Sequence, residues 1–287
     1  MHINGSTTIV GVFGAPIVHT ASPAMHNAAF DALKMNWRYL AFQVEPQNLR
    51  TALQGARDMG IVGINLTVPH KILALDCVDA VDAEARRLGA VNTVTIEKRK
   101  LRGFNTDGYG FVEAVKEDFN LSIKGKRVFV LGAGGAGRAI AVKCALEGAA
   151  KIVVANRTPA RIEPVAREVR AAKVEFRALP LEADDIAEAM PEVDLVVNAT
   201  SVGLNEGESL GFGAELFSPR LHVYDTIYRP AQTDLLRVAE GAGAKVANGL
   251  SMLLHQGARA FEIWTKRKAP LAVMRRALRA AIYGERP

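Results

Sequence analysis

Lys71 stands two residues past Pro69 in GINLTVPHK, residues 63–71. The apolar positions Ile64, Leu66 and Val68 read as a buried strand, and proline, which has no N–H to give a ladder, is an ordinary place for it to stop. Thr67 and Lys71 are then carried to the strand's exit, where α/β sheets bind ligands. Alone, such a lysine is a solvated amine, since lysines are rarely buried. Beside a carboxylate it has another use. Reducing a ketone with hydride leaves an alkoxide, which needs a cationic or proton-donating group at its oxygen. Asp107, in GFNTDG at the head of a helix, can orient that lysine. Thr67, Asn92 and Gln256 add hydroxyl and amide side chains of the kind that hold a substrate's hydroxyl groups. Singly, Asn92 reads as a structural amide, Asp107 as a helix cap and Gln256 as a core-facing side chain. Taken together with the glycine-rich loop that follows, they lead to the expectation that Lys71 is a catalytic acid–base.

A second constellation lies in VFVLGAGGAGRA. Gly132, Gly134 and Gly137 stand in G-x-G-x-x-G order, after an apolar strand and at the opening of a helix, which is the context that gives this motif a mechanism. The first glycine allows a tight turn, the second lets a pyrophosphate approach the backbone, and the third lets helix and strand pack closely. Free amides at the helix N-terminus, from Gly132 through Ala133, Gly134, Gly135, Ala136 and Gly137, face the anion. The next strand selects the dinucleotide. An NAD site ends it in Asp or Glu to hold the ribose 2′-hydroxyl. Here KIVVANRTPAR ends it in Asn156, Arg157 and Thr158, with Arg161 one turn later. No carboxylate repels a 2′-phosphate and two guanidiniums can pair with one. NADP is the expected cofactor.

Other residues carry less. His19, His26, His70 and His255 are scattered, with no HExxH and no carboxylate at ligand spacing, so no metal is expected. Cys77 and Cys144 are isolated and are expected to be buried, reduced and inert, in keeping with a cytoplasmic location. The N-terminal stretch shows no basic leader followed by an apolar run, and no apolar stretch approaches membrane-spanning length. The net charge of +6 gathers in Lys266–Lys268 and Arg275, Arg276 and Arg279, a solvated helical face without interleaved aromatics. Neither nucleic acid nor membrane is an expected partner, although a positive field would attract an anionic substrate.

The elements that must position these residues follow an α/β rhythm. TTIVGVFG, WRYLAFQV and the strand before Pro69 alternate with helices SPAMHNAAFDALKM, opened by Ser22 as N-cap and Pro23 behind it, and NLRTALQGARDM. That order means a mainly parallel sheet with helical crossovers. AVNTVTIEKRKLRGFN reads as a hairpin with Glu97–Lys100 at its tip. Near residue 125 a second unit opens with the glycine strand, followed by strands KIVVANR, DLVVNATSVG and HVYDTIY. Helix 107–119 and a helix from about residue 249 bracket it. The expectation is an α/β chain of two domains. Residues 1–106 form a substrate-binding and catalytic domain, residues 107–247 a dinucleotide-binding Rossmann domain, and residues 248–287 C-terminal helices that return to the first.

With both halves in view, the chain resembles the shikimate dehydrogenase family along nearly its whole length. GAPIVHTASPAMHN, NLTVPHK, GAVNT, GFNTDG, GAGGAGRA, NRT, NATSVG, YRPAQTDLL and GLSMLLHQGARAFEIW stand in the family's order. The resemblance implies NADP-dependent interconversion of 3-dehydroshikimate and shikimate, toward the aromatic amino acids, by a monomer or homodimer. It implies Lys71 as the catalytic lysine with Asp107 as partner, and Thr20 and Ser22 at the substrate carboxylate. It gives Thr67, Asn92 and Gln256 the ring hydroxyls, places Tyr228 by the nicotinamide, and adds Thr200, Ile227 and Gly249 to the cofactor site. Position 20 departs from the family, being Thr where Ser is usual. Three alternatives are weighed against this: a quinate/shikimate dehydrogenase that accepts NAD, a non-catalytic ring-acid sensor, and a tetrahydrofolate dehydrogenase-like enzyme.

Overall fold

A computed structural model describes residues 3–205 and 207–285. The chain divides into two compact units, Met1–Gly110 with Leu253–Pro287, and Phe111–Met252.

The first unit holds β1 (Thr8–Gly14), α1 (Ser22–Ala32), β2 (Trp37–Gln43), α2 (Leu49–Asp58), β3 (Gly63–Leu66), α3 (His70–Leu73), β4 (Ala80–Val81), α4 (Ala83–Leu88), β5 (Thr93–Glu97) and β6 (Lys100–Phe104). Its six-stranded sheet runs β2-β1-β3-β5-β6-β4. β1 is parallel to β2 and β3, because a helix carries the chain across each time. The β5–β6 hairpin extends the sheet antiparallel to β3. On α2, Leu49, Leu53 and Ala56 recur at helical spacing and are buried in the core with Ile64 and Leu66. Each leucine buried in this way contributes roughly 1.5–3 kcal/mol.

The strand before Pro69 is shorter than its apolar pattern suggests. β3 stops at Leu66, and Val68 is 67% exposed. The Thr67 carbonyl already accepts from His70 N–H, which turns the chain into α3. Similarly, α1 starts at Ser22, with Ala21 at its N-cap and Pro23 in its first turn, so Ser22 is not the cap.

Two helices run across the unit boundaries: α5 (Asp107–Phe119), and α10 (Leu250–Thr265) after the second unit. α11 (Leu271–Tyr283) packs on α1. Trp264 near the end of α10 donates its indole N–H to the Val94 carbonyl at 3.0 Å. Gly63 makes room for it, since a Cβ there would lie 2.2 Å from the indole nitrogen. Any larger residue at position 63 would collide with the indole that this hydrogen bond holds in place.

The second unit contains β7 (Arg127–Leu131), α6 (Gly135–Leu146), β8 (Lys151–Ala155), α7 (Glu163–Ala171), β9 (Glu175–Leu179), α8 (Ala183–Ala189), β10 (Leu195–Asn198), β11 (His222–Asp225), α9 (Asp234–Gly241) and β12 (Lys245–Ala247). All its pairings are parallel, in the order β12-β11-β10-β7-β8-β9. Counted within the unit this is 6-5-4-1-2-3, the Rossmann order, whose reversal falls between β7 and β10. The central strands are nearly all apolar because both faces are covered. Strands β4, β9 and β12, absent from the sequence-based expectation, lie at sheet edges, and a half-exposed edge does not need such a pattern. Among the described residues no helix is long and apolar enough to cross a membrane.

Candidate active site

In the first unit a buried polar cluster forms where β3, β5 and the head of α5 meet. Lys71 Nζ donates to Asp107 Oδ2 at 2.8 Å, with the two side chains 17% and 4% exposed. Surface ion pairs are worth little, but this one is shielded and its carboxylate is held on both oxygens. Asn92 Nδ2 donates to Asp107 Oδ1 at 2.9 Å and leans toward Gln256 Oε1 at 3.4 Å. The amide cannot flip, because its Oδ1 accepts the backbone N–H of Thr106 at 2.7 Å, a group that can only donate. Asn105 fixes the start of α5, its side-chain oxygen accepting from the N–H groups of Asp107 and Gly108. Lys71 is anchored from its own backbone as well, with its carbonyl accepting from Val91 N–H at 2.7 Å. The result is a rigid ammonium–carboxylate pair in a hydrogen-bonding shell, suited to handing a proton to a developing alkoxide.

Behind this pair lies a layer whose residues the sequence reading gives no role, although Asn65 opens the NLTVPHK stretch. Asn65, buried in β3, donates to the Asn92 carbonyl at 3.1 Å and to the Thr93 hydroxyl at 3.0 Å, and accepts from the Tyr39 hydroxyl at 2.8 Å. A polar side chain inside an apolar strand is the available signal, since a buried amide must be satisfied. Ser22 reaches the Tyr39 hydroxyl, whose pKa is raised by burial and drawn partly back by that contact. Thr20 Oγ1 accepts from Ser22 N–H at 3.4 Å, leaving its own hydrogen available to a ligand. Thr67 is half-buried, and its hydroxyl has no partner among the described residues. Thus the structure joins Lys71, Asp107, Asn92 and Gln256 by hydrogen bonds, whereas Ser22 reaches Asn92 only through Tyr39 and Asn65, and no direct hydrogen bond among the described residues joins Thr20 or Thr67 to the four.

Of the remaining candidates, His70 is wholly buried, and burial holds its pKa down. Cys77 is only half-buried, unlike Cys144. Both thiol pKa values are raised by burial, so both cysteines are poor nucleophiles.

In the second unit the three motif glycines have three different structural reasons. Gly132 has φ +98°, a conformation side chains resist. A Cβ on Gly137 would meet the Gly132 carbonyl oxygen at 2.1 Å. Gly134 is extended, and a Cβ there would meet nothing within 4 Å. Neither strain nor packing requires a glycine at position 134, which leaves close approach of a ligand to the backbone as the reason a glycine suits it. The N-terminus of α6 carries no side-chain cap, so the amides of Gly135, Ala136 and Gly137 are available to an anion. Ala133 N–H is held by Asn156 Oδ1 at 3.1 Å, which fixes the turn to the end of β8. Arg157 and Arg161 beyond it are exposed and form no ion pair among the described residues. This donor set fits a dinucleotide bearing a 2′-phosphate.

The loops after β10 and β11 complete that edge. Asn198 Oδ1 accepts from the Thr200 N–H and hydroxyl at 3.0 and 2.7 Å. Ile227 is buried and Tyr228 half-buried. Gly249 is required by packing, since a Cβ would lie 2.0 Å from the Thr226 carbonyl oxygen. Asp225, also unmarked by the motifs, is fully buried, and burial raises its pKa against the pull of three hydrogen bonds.

Comparison with known proteins agrees with both units. Family models match at residues 12–94 (shikimate dehydrogenase substrate binding domain), 113–205 (shikimate / quinate 5-dehydrogenase) and 249–279 (shikimate 5′-dehydrogenase C-terminal domain). A shikimate dehydrogenase (NADP(+)) of Methanopyrus kandleri is 46% identical over 279 residues, 96% of each chain. The crystal structure of shikimate 5-dehydrogenase from Listeria monocytogenes with shikimate and NAD superposes with a TM-score of 0.89 at 37% identity, covering 96% of this chain and 97% of that one. The shikimate 5-dehydrogenase of Thermus thermophilus, in complex with NADP(H) and shikimate, gives 0.85 at 41% identity, over 96% and 99%. Such identity, sustained along nearly all of both chains, places this protein in the shikimate dehydrogenase family.

Proposed function

We propose that this chain is an NADP-dependent shikimate dehydrogenase, reducing 3-dehydroshikimate to shikimate and running in reverse when product accumulates. The observation that carries the reading is the 2.8 Å contact between Lys71 and Asp107 within the Asn92–Gln256 cluster. We assign the first unit to the substrate and to proton handling, and the second to the cofactor. NADPH, when bound, supplies the hydride. The rest of the chemistry falls to the chain. Lys71 presents a proton at the carbonyl oxygen as charge develops there and takes it back in the reverse direction. Asp107 aims the ammonium. Asn92, Gln256 and Thr67 take the ring hydroxyls, and the hydroxyls of Thr20 and Ser22 donate to the carboxylate. Tyr228 would lie on the nicotinamide side when the cofactor is bound. The free amides of Gly135, Ala136 and Gly137 would hold the pyrophosphate over the turn Gly132–Ala133–Gly134, whose first two N–H groups are already taken by Ala155 and Asn156, and Asn156, Arg157, Thr158 and Arg161 would hold the 2′-phosphate, while Thr200, Ile227 and Gly249 would border the nicotinamide half.

The absence of a carboxylate at the end of β8 supports NADP over NAD. A spectrophotometric assay crossing shikimate and quinate with NADP and NAD tests the reading. Fastest turnover is expected with shikimate and NADP. A chain that binds both ligands without changing the nicotinamide absorbance would instead be a sensor.

A further inference from the structure

Asn198 and Asp225 are register partners at the carboxyl ends of β10 and β11. Asp225 is wholly buried and has no cationic partner among the described residues. Three donors converge on it: Asn198 Nδ2 at 3.1 Å and Ile227 N–H at 3.0 Å on one oxygen, and the Thr233 hydroxyl at 2.7 Å on the other. Asn198 passes the link on, donating to the Val202 carbonyl and accepting twice from Thr200. Thr233 in turn caps α9. One carboxylate therefore ties together the turn at 198–203, the turn at 225–228 and the start of a helix.

The surroundings show what this arrangement serves. A Cβ on Gly203 would meet Thr233 at 3.4 Å and Ile227 at 3.6 Å, so the two loops are packed on each other. A Cβ on Gly132 would meet the Ala199 carbonyl oxygen and Thr200 Cγ2, each at 3.0 Å, which sets the first loop directly against the glycine turn. The Ile227 carbonyl accepts from Gly249 N–H at 3.0 Å on the far side. The loops thus border the strand-order reversal between β7 and β10, where sheets of this kind take their ligand.

We propose that Asp225 is a positioning residue of the cofactor site, locking the loops after β10 and β11 in the one arrangement that presents Thr200 and Ile227 to the dinucleotide. The proposal rests on reading the β7–α6 turn as a dinucleotide site. It does not require the negative charge. An asparagine at position 225 offers its oxygen to Asn198 and Ile227 and its amide to Thr233, whose hydroxyl can turn to accept. An alanine leaves three buried donors without partners, and the loops rearrange to find water.

The test is a fluorescence titration of the full chain with NADPH, alongside the KM for shikimate and a thermal melt. Asp225→Ala is expected to weaken NADPH about tenfold and leave the KM for shikimate within about twofold. Asp225→Asn should stay within about threefold of wild type on both. NADPH binding by Asp225→Ala that matches wild type would overturn the proposal. So would equal losses for both ligands, or no rescue by Asn, since a merely structural residue would lower the melting temperature without separating the ligands. If the alanine variant does not fold, Thr233→Val removes one donor and keeps the shape. It should weaken NADPH about threefold, and an unchanged affinity counts against the idea. A wild type that fails to bind NADPH removes the dinucleotide reading itself, and the proposal with it.

Discussion

Lys71 Nζ lies 2.8 Å from Asp107 Oδ2 while Asn92 holds the other carboxylate oxygen at 2.9 Å. An acid gripped at both oxygens cannot swing, so the direction of the ammonium is set before any substrate arrives. Positioning of that kind contributes most where the reaction develops charge.

The first prediction follows from it. Lys71→Ala should lower kcat roughly 10²–10⁴-fold and change KM for shikimate far less, because the proton matters in the transition state rather than in the bound ground state. Asp107→Asn keeps the shape and loses the charge that aims the lysine, and should fall between wild type and Lys71→Ala. Steady-state kinetics in the oxidative direction read both. Near-normal turnover by Lys71→Ala would remove the catalytic assignment.

A second prediction concerns Arg157. Its guanidinium is exposed and unpaired among the described residues, so its loss should cost the fold little. A charge-assisted hydrogen bond to a 2′-phosphate is worth about 1.5–3 kcal/mol, and Arg157→Ala should therefore raise KM for NADP about tenfold or more. NAD lacks the phosphate and should be affected less than about twofold. Equal losses on both cofactors would make Arg157 structural.

How much of this is legible in the sequence follows the range of each interaction. The glycine turn and the carboxylate-free end of β8 are local patterns, and each states its chemistry within a dozen residues, whereas Lys71 needs Asp107, 36 residues further on. The Rossmann strand order is carried by buried, mostly apolar strands, while β9 and β12 escape because an edge strand such as Glu175–Leu179 buries only part of itself. Asn65 and Asp225 also escape. Their meaning comes from partners such as Tyr39 and Thr93, or Asn198, that are 26 to 28 residues away in sequence, and no spacing rule links them. Ser22 shows the reverse error. A Ser-Pro pair suggests a cap, but the helix starts at the serine itself, which turns its hydroxyl toward Tyr39 instead.

The third prediction is a pH dependence. His26 is fully buried and stacked on Tyr39, with ring centroids 4.3 Å apart. Neither of its ring nitrogens has a hydrogen-bond partner among the described residues. Burial drives its pKa from 6.5 down to about 3. Between those values the unfolded chain binds a proton that the folded chain refuses, so stability rises with pH across the window. The contribution is fully present above the unfolded value and is lost as pH falls toward the folded one. At about 1.4 kcal/mol per unit, the whole window amounts to about 5 kcal/mol. His26→Leu cannot titrate and should shift the acid unfolding midpoint to lower pH. Circular dichroism against pH checks this, and an unmoved midpoint would mean that other groups set acid stability.

The last prediction turns on Thr20. The residue is half-buried, and its Oγ1 accepts from Ser22 N–H, which leaves the hydroxyl hydrogen for a substrate carboxylate. A serine would offer the same hydrogen. Threonine adds a methyl and stiffens χ1, narrowing the space around the carbon that bears the acid group. In shikimate that carbon is planar. In quinate it is tetrahedral and carries an extra hydroxyl, which needs the room the methyl takes. Shikimate should therefore be the better substrate, and Thr20→Ser should raise relative activity on quinate. One methyl in a pocket shifts discrimination by about 1–3 kcal/mol, so the change in the kcat/KM ratio should lie between about tenfold and about two-hundredfold. The opposite geometry has its own signature. If the methyl instead turns the threonine hydroxyl to meet quinate's own, the wild type prefers quinate and the serine variant loses that preference. Measuring kcat/KM for both acids on both proteins separates the two, and the second pattern would defeat the steric argument.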